Sequence, residues 1–525
     1  MNRRDILRNS VQGLLLGSLS PLVHAAQIAT PMIHTRHGMI AGREELGIKV
    51  FKGIRYGADT AQYRFQAPRE ASSWEGVHEA FQFGAAAPQL NINEPVSEDC
   101  LFLNLWTPGI RDRATRPILV YLHGGEYSTG SGSDPLYDGI RLCQRGDVVV
   151  ITLNHRLNVL GHLYLGYLGD EKFRCSGNAG LLDIVLALKW IKENANEFGG
   201  DAHNVTLFGQ SGGGAKNACL MAMPEAHGLF HRVMTMSGQQ ITLSGPRAAA
   251  KRTQAYLSDL KLQTANVKTL LNLPVDQIIQ ATKTHDPVLA GRSIYFGPVL
   301  DDVVLQQHPF YPEAPAISRH IPMVIGNTHD ETRFFYGKDN SLFTLSWDEL
   351  PRRLSEAMYV DISVDKVIAT YRKHYPDYSA SEVFFAASTA GRSWRGAIIE
   401  AELRAQQRAP AYVYQLNFPS PEDDGRWRAC HTLDIPLVFN NLDKPGSKTG
   451  QSRSAKKVSE MMCDALIYFA RHGRPDHAGM PHWSPYTLPD RATMIFDVNA
   501  KMENDPRAFE RQLFAKVPYV QRGTY

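Results

Sequence analysis

The chain has 525 residues, of which 43% are hydrophobic and 21% charged, with a formal net charge of +3. This composition excludes a disordered or fibrous protein and allows a large buried core, and so balanced a charge offers no field that would hold nucleic acid. Six cysteines without C-x-x-C spacing, and a His78-Glu79 pair that continues Ala80-Phe81-Gln82 rather than completing H-E-x-x-H, give no sequence support for a metal site or a cofactor.

The first residues read Asn2-Arg3-Arg4-Asp5-Ile6-Leu7-Arg8, then a mildly apolar stretch over 11–23, then Val23-His24-Ala25. This looks like a bacterial twin-arginine export signal cleaved after Ala25. Glycine, serine and Pro21 break the stretch, which is too short to span a membrane, and no run of about twenty apolar residues follows. Loss of residues 1–25 removes two net positive charges and leaves +1. The expected mature protein, 26–525, is periplasmic or secreted, without a membrane span. A route that exports folded proteins from a reducing cytosol also implies few disulfides or none. Oligomeric state leaves no trace in the sequence.

From about residue 28 to 240, short β-branched runs such as 118–122 and 148–153 alternate with helical stretches such as 181–194. The alternation predicts an α/β fold with a large, mostly parallel sheet and helices on both faces. Between about 245 and 410 the pattern is more helical and less regular, with strand candidates at 322–326 and 411–416. These segments read as insertions roofing one end of the same sheet, so one large catalytic domain is expected.

Within this frame the apolar run Val205-Thr206-Leu207-Phe208 leads into Gly209-Gln210-Ser211-Gly212-Gly213-Gly214 and then a helical stretch. A strand-to-helix turn this sharp crowds the positions two before and two after the serine, where Gly209 and Gly213 carry no side chain. Ser211 is therefore a candidate nucleophile. A serine hydroxyl needs a histidine base and a carboxylate that fixes the base's tautomer. In doubly wound hydrolases the chain order is serine, acid, histidine.

After the strand candidate at 322–326 comes Asn327-Thr328-His329-Asp330-Glu331-Thr332, and spacing alone leaves Asp330 and Glu331 both open. For the base, His431 lies in Ala429-Cys430-His431-Thr432-Leu433-Asp434, ahead of the apolar Leu437-Val438-Phe439. His472 reads as a helix C-terminus, and His477 and His482 lack a strand context. Backbone donors for an oxyanion require a glycine-rich turn, and His123-Gly124-Gly125-Glu126-Tyr127 follows the strand 118–122 directly.

Together these segments resemble the type B carboxylesterases, the group that includes cholinesterases and bacterial para-nitrobenzyl esterases. Further landmarks are Phe51-Lys52-Gly53-Ile54-Arg55-Tyr56, Ser97-Glu98-Asp99-Cys100-Leu101, Asn154-His155-Arg156-Leu157, Gly177-Asn178-Ala179-Gly180, Phe198-Gly199-Gly200-Asp201 and Tyr468-Phe469-Ala470-Arg471-His472-Gly473. The resemblance implies an α/β-hydrolase fold and a triad of Ser211, Glu331 and His431. It also implies oxyanion donors at the N–H groups of Gly125, Glu126 and Gly212, and a supporting Ser237.

The chain departs from the family pattern at four positions. Thr332 and Thr432 replace glycines and imply stiffer loops, Cys100 lacks its usual disulfide partner, and Glu126 stands where glycine or alanine is usual. The implied activity is cofactor-free hydrolysis of small-molecule carboxylic esters through an acyl-enzyme. The alternatives are an amidase or carbamate hydrolase with the same triad, or a non-catalytic binding protein. Phe296, Phe334, Phe335, Tyr336, Phe384 and Phe385 are candidates to line an apolar gorge.

Overall fold

The computed structural model describes residues 30–289, 291–521 and 523–524. The expected export signal lies outside them.

Among the described residues, fourteen strands follow in chain order: β1 Met32–Thr35, β2 Gly38–Ala41, β3 Arg43–Glu45, β4 Ile48–Arg55, β5 Val77–Glu79, β6 Phe102–Thr107, β7 Arg116–Leu122, β8 Val149–Leu153, β9 Gly200–Gln210, β10 Arg232–Met236, β11 Met323–Thr328, β12 Ala411–Leu416, β13 Ala492–Phe496 and β14 Lys501–Asn504. Strands β1, β2 and β5 form a small sheet, and the other eleven form one sheet ordered β14-β13-β12-β11-β10-β9-β7-β8-β6-β4-β3. Neighbours from β8 to β13 run parallel, and both margins are antiparallel. This is the α/β-hydrolase architecture.

Burial explains why the central strands are apolar throughout. Every residue of β7 and β8 is buried, as expected where helices cover both faces of a parallel sheet. Along β7, Ile118, Val120 and Leu122 enter one core while Leu119 and Tyr121 enter the other. The helix Ala179–Asn194 fills the first with Leu181, Ile184, Leu188 and Ile191, and the helix Arg453–His472 fills the second with Met462, Leu466 and Phe469. Ser452 caps that second helix by accepting from the Ala455 N–H at 3.1 Å, and Gly473 ends it at φ 72°.

The connection from β7 to β8 goes to one side of β7, and β9 then pairs on the other side, with Leu122 opposite Gly209. Such a reversal opens a crevice at the strands' carboxyl ends, where ligands bind open α/β sheets. The glycine-rich turn after β7 and the serine turn after β9 are therefore adjacent because of topology. Their contact is so close that a Cβ on Gly213 would lie 1.9 Å from the Leu122 carbonyl oxygen. Gly213→Ala is expected to cost more than about 3 kcal/mol by forcing β7 and β9 apart. Thermal unfolding of the variant checks this, and a melting temperature equal to wild type would contradict the packing.

Candidate active site

Ser211 sits between β9 and the helix Gly212–Met221 with φ 55° and ψ −124°. A non-glycine residue held there stores on the order of 1–3 kcal/mol of strain, sustained by its surroundings. The Ser211 N–H donates to the Met236 carbonyl at 2.8 Å. Its side chain is half-buried and makes no hydrogen bond to any described residue.

The candidate acid and base lie on the segments that follow β11 and β12. Glu331 and His431 are both buried, and the His431 Nδ1–H donates to Glu331 Oε2 in a short contact. Glu331 Oε1 accepts from the Thr328 N–H at 2.9 Å. Burial alone would raise this carboxyl's pKa, but the His431 imidazole, Ser237 and the Thr328 N–H together hold it below the usual range. The Ser237 hydroxyl stands near enough to contribute, although its geometry falls short of a hydrogen bond to any described residue.

Of the two carboxylates that spacing left open, Glu331 is the one that contacts His431. Asp330 turns instead to His329, at 3.0 Å, and to Arg333.

With Nδ1 donating to Glu331, His431 Nε2 carries the lone pair, and Gln210 Nε2 donates to it at 3.1 Å. The structure therefore joins Glu331 to His431 and places Ser211 and His431 on one cavity, but the Ser211–His431 hydrogen bond is not made. The amide of the residue just before the serine occupies that position. Sequence reasoning overlooked Gln210, which drew attention only as part of the turn.

The oxyanion candidates do converge. A Cβ on Gly212 would lie 2.5 Å from the Glu126 nitrogen, so the turn after β7 rests on the first residue of the serine helix. Gly125 and Glu126 both take positive φ, 83° and 55°. Lys216, on the same helix and fully buried, donates from Nζ to the His123 carbonyl at 2.9 Å and so fastens the turn. His123 stacks on His155 at 4.8 Å, and burial followed by the Lys216 charge keeps its ring neutral.

The two threonines that replace family glycines differ in their settings. The Thr332 hydroxyl bonds to Ser388 at 2.8 Å and to Thr389 at 3.0 Å, tying the acid loop to the helix Ala380–Thr389. Thr432 holds φ 76°, where a β-branched residue is strained.

The site opens into a cavity of about 440 Å³. Phe334 and Phe335 line it, with Phe335 4.7 Å from the His431 ring. The other gorge candidates do not. Phe296, Phe384 and Phe385 are buried in packed cores, and Tyr336 packs against Phe384 behind the wall. The insertions and the C-terminal segment add further lining, including Tyr359, Arg392, Tyr519 and Gln521. Among the described residues no cluster of three or more potential metal ligands occurs, and no helix is long and apolar enough to cross a membrane. All six cysteines are free thiols.

The sequence profile of the carboxylesterase family matches residues 29–514. The chain belongs to this family. The para-nitrobenzyl esterase of Bacillus subtilis is 33% identical, over 92% of this chain and 98% of its own length. The phenmedipham hydrolase of Pseudarthrobacter oxydans is 31% identical, over 91% and 97%. The crystal structure of the Geobacillus stearothermophilus carboxylesterase EST55 superimposes with a TM-score of 0.81 at 34% identity, covering 92% of this chain and all of that one. As a carboxylesterase, the chain is a hydrolase of carboxylic esters.

Burial lowers the Lys216 ammonium to about 7, whereas an unfolded lysine keeps its proton to about pH 10.4. Between those values the unfolded chain binds the extra proton, so this residue makes folding stability rise with pH. Lys216→Met is expected to lose that rise. Its melting temperature relative to wild type should fall as pH goes from about 7 to about 9, and a constant difference would contradict the buried charge.

Proposed function

We propose that Ser211, His431 and Glu331 are the catalytic triad of this carboxylesterase, with the N–H groups of Gly125, Glu126 and Gly212 as oxyanion donors. The observation that carries this reading is the buried Glu331–His431 pair, whose imidazole lines the same cavity as a serine held at φ 55°. The Gln210 amide moves aside as substrate enters, leaving His431 Nε2 to the Ser211 hydroxyl.

His431 Nε2 then takes the Ser211 proton as Oγ bonds to the ester carbonyl carbon, and the carbonyl π pair becomes the oxyanion. Glu331 stabilises the imidazolium. When the oxyanion collapses, the bond to the alcohol oxygen breaks and Nε2–H protonates that oxygen. Water, deprotonated by the same nitrogen, attacks the acyl-enzyme, and in the second collapse the bond from the acyl carbon to Oγ breaks, Nε2–H protonates Oγ and the acid is released. The net reaction is ester plus water giving acid plus alcohol. Each oxyanion donor contributes roughly 3–4 kcal/mol to lowering the barrier.

Export belongs to the same proposal. The twin-arginine pattern in residues 1–25 supports placing the enzyme in the periplasm or outside the cell.

Ser211→Ala is expected to lower turnover of p-nitrophenyl butyrate by a factor on the order of 10⁴ to 10⁶. Retention of more than a few per cent of wild-type turnover in pure protein would overturn the triad. Covalent labelling by an organophosphate, present in wild type and lost in the variant, reads out the same assignment independently of turnover.

A further inference from the structure

Arg392 lies on the wall of the Ser211 cavity, and among the described residues no carboxylate comes within ion-pair distance of it. Its neighbour Arg395, three residues on, does pair, with Glu402 at 3.5 Å. The Arg392 guanidinium makes no hydrogen bond to any described residue and is positioned by rings alone. Its central carbon lies 3.6 Å from the Phe335 ring centroid and 5.8 Å from that of Tyr359. A cation half-sheltered in a cavity without a counter-ion is costly unless a ligand supplies the charge.

The backbone is arranged to present this group. Residues Ala390–Trp394 form a π-helical turn between the helices Ala380–Thr389 and Arg395–Gln406. Such a turn inserts an extra residue into the helical repeat, and it is frequent at functional sites. The bulge is held from both sides, since Tyr519 Oη donates to the Arg392 carbonyl at 3.2 Å and Gln239 Nε2 donates to the Ser393 carbonyl at 2.6 Å.

A second cation stands close by. Arg292 Nη2 donates to the Tyr359 hydroxyl at 2.8 Å, and Arg292 likewise lacks a carboxylate partner among the described residues. Glu126, the acidic residue of the cavity lining, belongs to the turn after β7 rather than to this wall.

We propose that Arg392 binds a carboxylate on the substrate, so that the preferred esters carry a second, ionised carboxyl group in either the acyl or the alcohol part. This rests on the esterase reading above and specifies its substrate class. Phe335 covers one face of the guanidinium and itself packs against His431, which sets the cation on the imidazole's side of the cavity. The uncovered N–H edges form a planar fork suited to bidentate contact with a carboxylate. Arg292 adds a longer-range attraction.

The test compares wild type with Arg392→Met, which keeps the apolar stem against Phe335, and with Arg392→Lys, which keeps the charge but not the fork. Two substrate series place the charge differently: ethyl half-esters of succinate, glutarate and adipate, and butyryl esters of glycolate and 3-hydroxypropanoate. Each is paired with a neutral ester of matched length. The ratio of anionic to neutral kcat/KM is expected to fall roughly tenfold or more in Arg392→Met, mainly through KM, in at least one series, with Arg392→Lys intermediate. The series that responds identifies which part of the ester bears the carboxylate.

An unchanged ratio in both series overturns the proposal. Calorimetric binding of glutarate and adipate gives a readout independent of turnover, and equal affinity in wild type and Arg392→Met overturns it as well. Loss of all activity on p-nitrophenyl butyrate by wild type would instead refute the esterase reading, while dicarboxylate binding would still decide the role of Arg392.

Discussion

One steric constraint governs the site: the end of β7, the end of β9 and the start of the following helix approach so closely that their backbones touch without side chains between them. Glycine at 209, 212 and 213 is what the geometry permits, because an added Cβ at any of the three would lie under 3 Å from a neighbouring backbone atom. The same crowding holds Ser211 at positive φ and sets the Gly125–Glu126 turn against the helix N-terminus. The proposed nucleophile and oxyanion donors are thus two aspects of one packing arrangement, which depends on the sheet's switch in strand order.

Around His431 the protein treats two nearby carboxyls in opposite ways. Glu331 is held ionised although buried, because imidazole and backbone N–H groups converge on it. Asp434, also buried, has the Tyr414 hydroxyl at 2.8 Å, and burial raises it to about 6. Glu400, behind the cavity wall, is pushed further, to about 8, by burial with only the Gln240 N–H to offset it. The carboxylate in direct contact with Nδ1 is that of Glu331, and this hydrogen bond fixes the tautomer and leaves Nε2 as the acceptor.

Much of this was legible in the sequence, for reasons that differ between elements. The strand at 411–416 matches β12 residue for residue, and 148–153 differs from β8 by one, since buried parallel strands impose continuous β-branched runs. The glycine pattern revealed the serine turn because the steric constraint acts within a few residues. The choice between Asp330 and Glu331 was beyond spacing, because His431 lies a hundred residues away and the turn can aim either carboxylate. The apolar run at 437–439 belongs to a short buried helix, Asp434–Phe439, and at that length periodicity carries no information. Phe384 and Phe385 looked like gorge residues, but their helix is buried on nearly every side. Gln210 against His431 and the π-helical turn at Arg392 depend on contacts between distant segments, and neither has a local signature.

The burial of Glu331 beneath the imidazole divides the electrostatics of the cavity into two regimes. Dissolved ions screen charges they can surround, over a Debye length of about 10 Å at 0.1 M salt, and a fully enclosed carboxylate lies out of their reach. The attraction between that carboxylate and the His431 ring is consequently indifferent to the salinity of the surroundings, whereas a half-sheltered guanidinium at the wall responds to it. Brine and fresh water would leave the Glu331–His431 pair alike while changing how firmly charged molecules are held beside it.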